Sequence, residues 1–174
     1  ATINRLFDMA WAQPLPPDAA RRKHETPSEL LDPRSYVRAR LIGPENADAG
    51  EGWQGDPAWR PEGKAGTRPG YVDVPMLVSN TPGATLTLEF EGTAVGMTVA
   101  AGPDAGMVEY DIDGERKGGL DQYTEWSDYL HIPWAFTFDD ELAPGPHVLT
   151  LRVSQRNNPD SAGHGVRIKG FYAN

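Results

Sequence analysis

The chain has 174 residues, a length that suits one domain with a short appendage. Its 19 glycines and 16 prolines are too many for a helix bundle, and 39% apolar residues are too many for a disordered chain, so a loop-rich β fold is predicted. A formal net charge of −9 disfavours nucleic acid and anionic membranes as partners, and the absence of cysteine excludes disulfides, thiolate metal sites and thiol redox chemistry.

Residues 1–12 predict a short amphipathic helix. Its apolar side chains recur at the spacing of one helical stripe: Ile3, Leu6, Phe7, Ala10 and Trp11. Pro14 ends the pattern, and a helix this short is marginal in water unless its stripe packs on something. We therefore interpret residues 1–12 as the stub of a helix that belongs to an upstream domain. Residues 13–33 are rich in proline and poor in apolar side chains, which predicts a linker.

Alternating apolar and polar residues dominate the chain from residue 34 to residue 174, as in half-buried antiparallel strands. Strands are predicted at 36–42, 71–78, 84–92, 94–101, 107–112, 132–138, 147–154 and 165–172. The predicted core consists of Leu86, Leu88, Phe90, Val108, Tyr110, Ile112, Leu149, Leu151 and Val153. The dipeptide Asp113-Gly114 predicts a hairpin turn. The fold class is therefore predicted as all-β, an antiparallel β-sandwich or jelly roll.

The segment from Pro44 to Gly70 shows no strand pattern, and a connection of this length is usually functional or disordered. It contains Trp53 and Trp59, and large aromatic side chains argue against disorder. Two interpretations stay open. The segment folds over the end of the sandwich with tryptophan as a lid, or its tryptophans offer a ring face to a ligand.

Residues 118–134 are dense in aromatic and polar side chains that follow no consistent period. These side chains are Asp121, Tyr123, Trp126, Tyr129, His131 and Trp134. Such mixtures suit sugars, because the C–H face of a pyranose lies on an aromatic ring while carboxylates and a neutral imidazole bond its hydroxyl groups. The alternative is that the same aromatics form sandwich core, with their polar tips bonded to the backbone.

Catalytic and metal-binding motifs are weak throughout the sequence. It contains no HExxH pair and no GxSxG or GDS nucleophile turn. Asp111 and Asp113 resemble the start of a calcium loop, but the glutamate that such a loop needs at its twelfth position is Gln122 here. We predict no metal and no cofactor.

Three polar residues lie near predicted turns. His147 starts a strand and is expected to be structural. His164 lies between two glycines, and Asp104 lies at the tip of the turn GPDAG. Each of these two belongs to a simple strand connection or bonds a ligand.

Four longer segments carry a family resemblance: 66–77 (GTRPGYVDVPML), 88–114, 120–134 and 142–154. They resemble the β-sandwich module that follows the catalytic domain in a group of bacterial SGNH (GDSL-type) hydrolases and esterases, and the match covers about 34–174. The stub INRLFDMAW resembles the final helix of that catalytic domain.

The resemblance implies a non-catalytic accessory module of a carbohydrate-active esterase, located in the periplasm or outside a bacterial cell. Such a module binds glycan, acetylated glycan included, or lines the substrate cleft of its catalytic neighbour. The catalytic serine, aspartate and histidine of the family would lie upstream of Ala1, so this chain alone is not expected to hydrolyse esters.

The predicted ligand-binding residues lie outside the alternating strands or at their edges, where the framework does not need them. They are Trp59, Arg68, Asp104, Asp121, Tyr123, Trp126, His131 and His164. One alternative is a catalytically silent scaffold that buries its aromatic loops against the esterase domain. Another is acid/base chemistry on a glycan by His131 and Tyr123. Exposure of Trp59, Trp126 and Trp134 would favour glycan binding over the scaffold.

Overall fold

The computed structural model describes residues 2–20, 23, 25, 28–30, 32 and 35–174, which fall into two compact units, 1–35 and 36–174. In the first unit, helix α1 spans Thr2–Trp11 as the apolar stripe predicts, and none of its residues is buried. Phe7 and Trp11 stack on its surface with ring centroids 5.2 Å apart. Residues 21, 22, 24, 26, 27, 31 and 33 of the predicted linker, and residue 34 of the predicted module, lie outside the described residues. Across the described part of the chain, no helix is long and apolar enough to cross a membrane.

Two antiparallel sheets make up the second unit, which confirms the predicted β-sandwich. The strands are β1 (Arg40–Ile42), β2 (Asp48–Ala49), β3 (Gln54–Trp59), β4 (Val74–Ser79), β5 (Thr85–Gly92), β6 (Val95–Ala101), β7 (Met107–Ile112), β8 (Glu115–Asp121), β9 (Ile132–Asp139), β10 (Gly145–Val153) and β11 (Val166–Ala173). One sheet has the order β3-β4-β11-β6-β9, and β1 also pairs with β11. The other has the order β2-β5-β10-β7-β8.

The predicted core lies between these two sheets. Leu149 on β10 is paired with Leu88 on β5 and with Ile112 on β7, and all three are at most 2% exposed. Leu151, two residues further along β10, is fully buried, while Tyr110 opposite it is partly buried against the same cluster. The remaining predicted core residues are buried as well: Leu86, Phe90, Val108 and Val153. Side chains two residues apart share a face of a strand, so the alternation identified this core from sequence.

The Asp113-Gly114 turn joins β7 to β8 as predicted. Both residues have positive φ, 54° and 78°, as in the two-residue hairpin turn whose twist matches the right-handed twist of the flanking strands. The Asp113 carboxylate accepts a hydrogen bond from the Val148 backbone N–H at 2.8 Å and contacts His147 Nδ1 at 2.6 Å. His147 Nε2 lies 2.7 Å from the Ala143 carbonyl oxygen, so the imidazole joins this turn, through Nδ1, to the connection between β9 and β10.

The strand predictions need correction in four places. The segment 44–70 is not strandless, because it contains β2 and β3, and β3 pairs with β4. Only Trp59 of β3 is buried, so this edge strand shows no apolar alternation, and its register shifts between Asp56 and Trp59. Strand β8, Glu115–Asp121, was missed for the same reason. Residues 36–42 form only the short β1, and residues 71–78 become a strand only from Val74.

Candidate functional site

Three connections meet at one end of the sandwich, and a fourth, which leaves β3 at the opposite end of the sheet, reaches them at Gly66; together the four form the loop end of the molecule. They follow β3, β6, β8 and β10 and span residues 60–73, 102–106, 122–131 and 154–165. Two isolated parallel bridges tie them together pairwise, Gly66 to Leu130 and Ala105 to Gly165. The Gln122 amide, fully buried, donates to the Gly106 carbonyl at 3.0 Å. The residue that fails to match a calcium loop therefore links two of these connections.

A cleft of about 710 Å³ opens on the outer face of the six-stranded sheet beside this loop end. The outer face is identified by β4, where Leu77 belongs to the main core and Met76 belongs to a separate small cluster with Trp59 and Ala100. The cleft is lined by Trp59, Asp104, His131, Arg167 and further charged side chains from β3 and the connection after it. It therefore unites three of the predicted ligand-binding residues with Arg167, which was not predicted.

Arg167 is the best-fixed charged residue of the cleft. It is only 7% exposed, and its Nη2 lies 2.5 Å from Asp104 Oδ2. Its guanidinium carbon lies 5.7 Å from the centre of the Trp59 ring, within the range of a cation–π contact. Asp104 Oδ1 and Arg167 Nη1 are buried and have no hydrogen-bond partner among the described protein atoms. The pair thus keeps hydrogen-bonding capacity that the protein does not use.

Arg167 escaped prediction because alternation explains it as an outward-facing residue of β11. Asp104 and Arg167 are separated by 63 positions in the chain, and no local motif connects them. Two glycines, which carry no Cβ, leave room for the side chains of Arg167 and His131. A Cβ at Gly165 would lie 2.7 Å from Arg167 Nη1, and a Cβ at Gly102 would lie 2.2 Å from His131 Nδ1.

The pKa values of Asp104 and His131 are shifted in the same direction for different reasons. Burial acts to raise the pKa of Asp104, but the hydrogen bond and the positive charge of Arg167 outweigh it, so the pKa is lowered. Burial, followed by the charge of Arg167, lowers the pKa of His131, and the charge of Asp104 only partly opposes this. At neutral pH the cleft therefore contains an ionised Asp104 and a neutral imidazole.

Trp59 belongs to the small cluster on the outer face of the sheet but is only 5% exposed. Its ring meets His131 edge to face, with centroids 5.3 Å apart and planes at 70°. Of the two interpretations offered for Trp59, this burial favours a packing role, because the side chain presents no open ring face to solvent. It lines the cleft and at the same time holds Arg167 and His131 in place.

The exposed aromatics of the loop end are Trp126 and Tyr129, at 44% and 57% exposure. Their rings stand perpendicular, with centroids 6.3 Å apart. The turn that carries them is fixed from below, because the buried Ser127 hydroxyl accepts from the Thr124 backbone N–H at 3.0 Å and donates to the Ala101 carbonyl at 3.5 Å. An exposed aromatic pair on an anchored turn is a ready contact surface.

Trp134 is also 42% exposed, but its position differs from that of Trp126. It lies on β9 opposite the buried Val99, on the same strand face as Phe136, which packs against the main core. Strand β9 is an edge strand of its sheet, so the Trp134 side chain is exposed at the side of the sandwich. Of the three tryptophans chosen to discriminate between glycan binding and a scaffold, Trp59 is buried and the other two are exposed.

Asp121 and Tyr123 are engaged in local hydrogen bonds. Asp121 accepts from Asn158 Nδ2 at 2.6 Å and from the Tyr123 backbone N–H at 2.9 Å. The Tyr123 hydroxyl donates to Asp128, and this hydrogen bond raises the pKa of Tyr123 to about 12. Tyr123 therefore stays protonated at neutral pH and does not supply a base. It is also absent from the residues that line the cleft around His131.

Arg68 and His164 lie in the connections of the loop end but do not line the cleft. Arg68 is exposed, and Nη1 donates to the Thr67 carbonyl at 3.3 Å. Its loop is joined to the 122–131 connection through Gly66, whose N–H donates to the Tyr129 carbonyl at 2.8 Å. His164 is half-buried, and its buried Nδ1 has no hydrogen-bond partner among the described protein atoms. Among the residues that the structure describes, no group of three or more His, Asp or Glu side chains is arranged to hold a metal ion.

Comparisons with known proteins show similarity at the level of fold. No family model and no curated protein sequence matches the chain. A two-domain esterase (CEX) active on acetylated mannans, solved with mannopentaose, superposes with a TM-score of 0.62 and 15% identity, covering 98% of this chain and 43% of the esterase. A Paenibacillus xanthan lyase has a TM-score of 0.55 and 15% identity, covering 85% of this chain and 14% of the lyase.

An exo-β-1,3-galactanase from Phanerochaete chrysosporium has a TM-score of 0.53 and 14% identity, over 79% of this chain and 30% of the galactanase. This chain thus spans less than half the length of each of these three proteins. At such identities the comparisons show that the chain shares a β-sandwich fold with parts of larger proteins.

Proposed function

We propose that this chain is a non-catalytic accessory module that binds glycan through its loop end. The observation that carries the proposal is the cleft with the Asp104–Arg167 pair at the same end of the sandwich as the exposed Trp126 and Tyr129. A sugar ring presents an apolar C–H face and a rim of hydroxyl groups. The aromatic pair suits the first, and the hydrogen-bonding groups of the cleft suit the second.

The similar solved structures support a carbohydrate-related role, since the esterase acts on acetylated mannans and the lyase and the galactanase are named for polysaccharides. Together with the resemblance of residues 66–77, 88–114, 120–134 and 142–154, they favour a parent protein that is an SGNH-type carbohydrate esterase. In that parent, the catalytic domain would precede this module, which would line the substrate cleft or hold the glycan near it. A secreted enzyme in the bacterial periplasm or medium fits such a substrate.

Titration calorimetry on the 174-residue chain tests the proposal. The panel comprises mannopentaose, its acetylated form, cellopentaose and xylopentaose. We expect binding of at least one of them and no hydrolysis of acetyl esters. Absence of binding across the panel would contradict the proposal.

Two matched tyrosines locate the binding surface. Tyr129 and Tyr36 are 57% and 58% exposed, and Tyr36 bonds Asp140, just past the far end of β9. Loss of a stacking side chain costs about 1 kcal/mol or slightly more, so Tyr129→Ala should weaken binding about five- to tenfold. Tyr36→Ala should leave the affinity unchanged. Equal effects of the two substitutions on affinity would show that the glycan does not bind at the loop end.

The alternative function is a silent scaffold that packs on the esterase domain. The burial of Trp59 and the exposed apolar stripe of α1 favour it, because a buried ring offers no face to a sugar and an exposed apolar stripe suits packing. A scaffold would bind none of the oligosaccharides and would bind the separately produced catalytic domain. A pull-down of the separately produced catalytic domain by this chain, compared with the variant Trp11→Ala, distinguishes the two functions.

A further inference from the structure

The charges around the cleft permit an inference about the class of glycan, which rests on the proposed glycan-binding function. Six charged side chains line the cleft, three of each sign: Asp56, Glu62, Asp104, Arg60, Lys64 and Arg167. Both arginines are held by carboxylates of the chain. The availability of a guanidinium group to a ligand therefore depends on how firmly each carboxylate holds it.

Arg167 is confined by its packing. Asp104 Oδ2 lies 2.5 Å from Nη2, and the Trp59 ring centre lies 5.7 Å from the guanidinium carbon. A Cβ at position 165 would lie 2.7 Å from Nη1, so the guanidinium fits here because residue 165 is glycine. The side chain is 7% exposed. Nη2 is engaged with Asp104, which leaves Nη1 to bond a ligand, and a ligand carboxylate at Nη1 would be repelled by the ionised Asp104 of the same pair.

Arg60 is held at the rim of the cleft by two parallel contacts. Its Nε lies 2.5 Å from Asp73 Oδ1 and its Nη2 lies 2.7 Å from Asp73 Oδ2, the fork geometry that suits arginine and a carboxylate. Asp73 has a positive φ of 56°, and its N–H donates to the Trp59 carbonyl at 2.9 Å. The backbone thus places this carboxylate against Arg60.

We propose that the two arginine–carboxylate pairs make the cleft selective for neutral glycans over glycans that carry carboxylates. An anionic sugar would compete with Asp73 and Asp104 for their arginines, and the charges outside these two pairs are two carboxylates, Asp56 and Glu62, against one cation, Lys64. The net charge of −9 adds a repulsion that reaches the whole surface. The lowered pKa of His131 means that the imidazole adds no positive charge at neutral pH.

The test compares oligosaccharides that differ only by oxidation at C6. The probes are β-1,4-mannopentaose against pentamannuronate, and cellopentaose against pentaglucuronate, at low ionic strength where charges are little screened. We expect the unmodified chain to bind the neutral member of a pair at least about fivefold more tightly, which corresponds to one unfavourable charge contact in a watery environment.

Asp73→Asn releases Arg60 without disturbing the core, because both side chains are more than half exposed and asparagine tolerates positive φ. This variant should bind the uronate probe about two- to fivefold more tightly than the unmodified chain and bind the neutral probe unchanged. The double variant Asp73→Asn/Arg60→Gln should lose the gain. Asp48→Asn, an exposed residue of β2, makes the same change in net charge away from the cleft and should show no gain.

The outcomes separate the inference from the function on which it rests. Equal binding of neutral and uronate probes by the unmodified chain, or an equal gain in Asp73→Asn and Asp48→Asn, would overturn the charge selectivity and leave glycan binding intact. Failure of the unmodified chain to bind the four probes or any of the oligosaccharides of the wider panel would overturn both.

Discussion

Substitution of Gly165 by alanine should disrupt the cleft without touching the main core. A Cβ at this position would lie 2.7 Å from Arg167 Nη1, 2.9 Å from Nη2 and 2.8 Å from Asp104 Oδ2. Normal contacts of a carbon atom are about 3.5 Å or longer, so the guanidinium and the carboxylate must together move by about 0.7 Å. They have little room to do so, because Arg167 is 7% exposed and packs on the Trp59 ring.

The energetic cost follows from this lack of room. Overpacking of a filled site typically costs about 1–3 kcal/mol. Replacement of glycine by alanine recovers about 0.4–1 kcal/mol by restricting the unfolded chain, since Gly165 does not have positive φ. We therefore expect Gly165→Ala to lower the free energy of unfolding by about 1–2 kcal/mol, measured by equilibrium urea denaturation at pH 7.

Gly55→Ala is the matched control. Gly55 also lines the cleft and has an ordinary φ, but a Cβ there would meet nothing within 4 Å. This variant should be as stable as the unmodified chain or up to about 1 kcal/mol more stable. If Gly165→Ala proves as stable as Gly55→Ala, the inference that Arg167 and Asp104 leave no room for a Cβ at position 165 is wrong.

Two further predictions concern the folding of the sandwich. Leu151→Ala should lower the free energy of unfolding by about 2–5 kcal/mol, because Leu151 is fully buried and its truncation leaves a cavity. The control Val148→Ala, a residue of the same strand that is 39% exposed, should lower it by less than about 1 kcal/mol. Equal losses of the two variants in urea denaturation would reject the core assignment. The pKa of His147 is raised, since burial, which lowers it, is outweighed by the hydrogen bond to Asp113. Its contribution to stability is therefore complete below the unfolded pKa of 6.5 and is lost as the pH rises through the folded value. Urea denaturation from pH 5 to 9 should show this loss in the unmodified chain and a smaller one in Asp113→Asn, and equal pH profiles would dismiss the pair as a source of stability.

Much of the fold could be predicted because its main signals are local. Alternation along β5, β7 and β10 identified the buried face of each strand, since side chains two residues apart must share a side. Asp113-Gly114 specified its turn through the positive φ that these two residue types tolerate. The helical stripe of α1 was also correctly interpreted as a helix. Strands β3 and β8 escaped because an edge strand with one buried side chain or none carries no alternation.

The site was only partly accessible from the sequence. Local reasoning selected Asp104 and His131 because they stand near turns or in polar segments outside the strand pattern, and both line the cleft. Trp59 was selected as an aromatic in an irregular segment, which indicates importance but not the direction in which the ring points. Trp126 was selected by the same signal and is exposed, while Trp59 is buried.

The sequence by itself determined which faces of the strands are apolar, where the chain turns, and which residue types are available at the loop end. Only the tertiary structure decided that Arg167 on β11 meets Asp104, 63 positions away, beneath a ring supplied by β3. The physical reason is the range of the interactions. Backbone propensities and alternation act between residues two to four positions apart, whereas an ion pair forms wherever strand order brings two charges together. That order, β3-β4-β11-β6, is set by the packing of whole sheets.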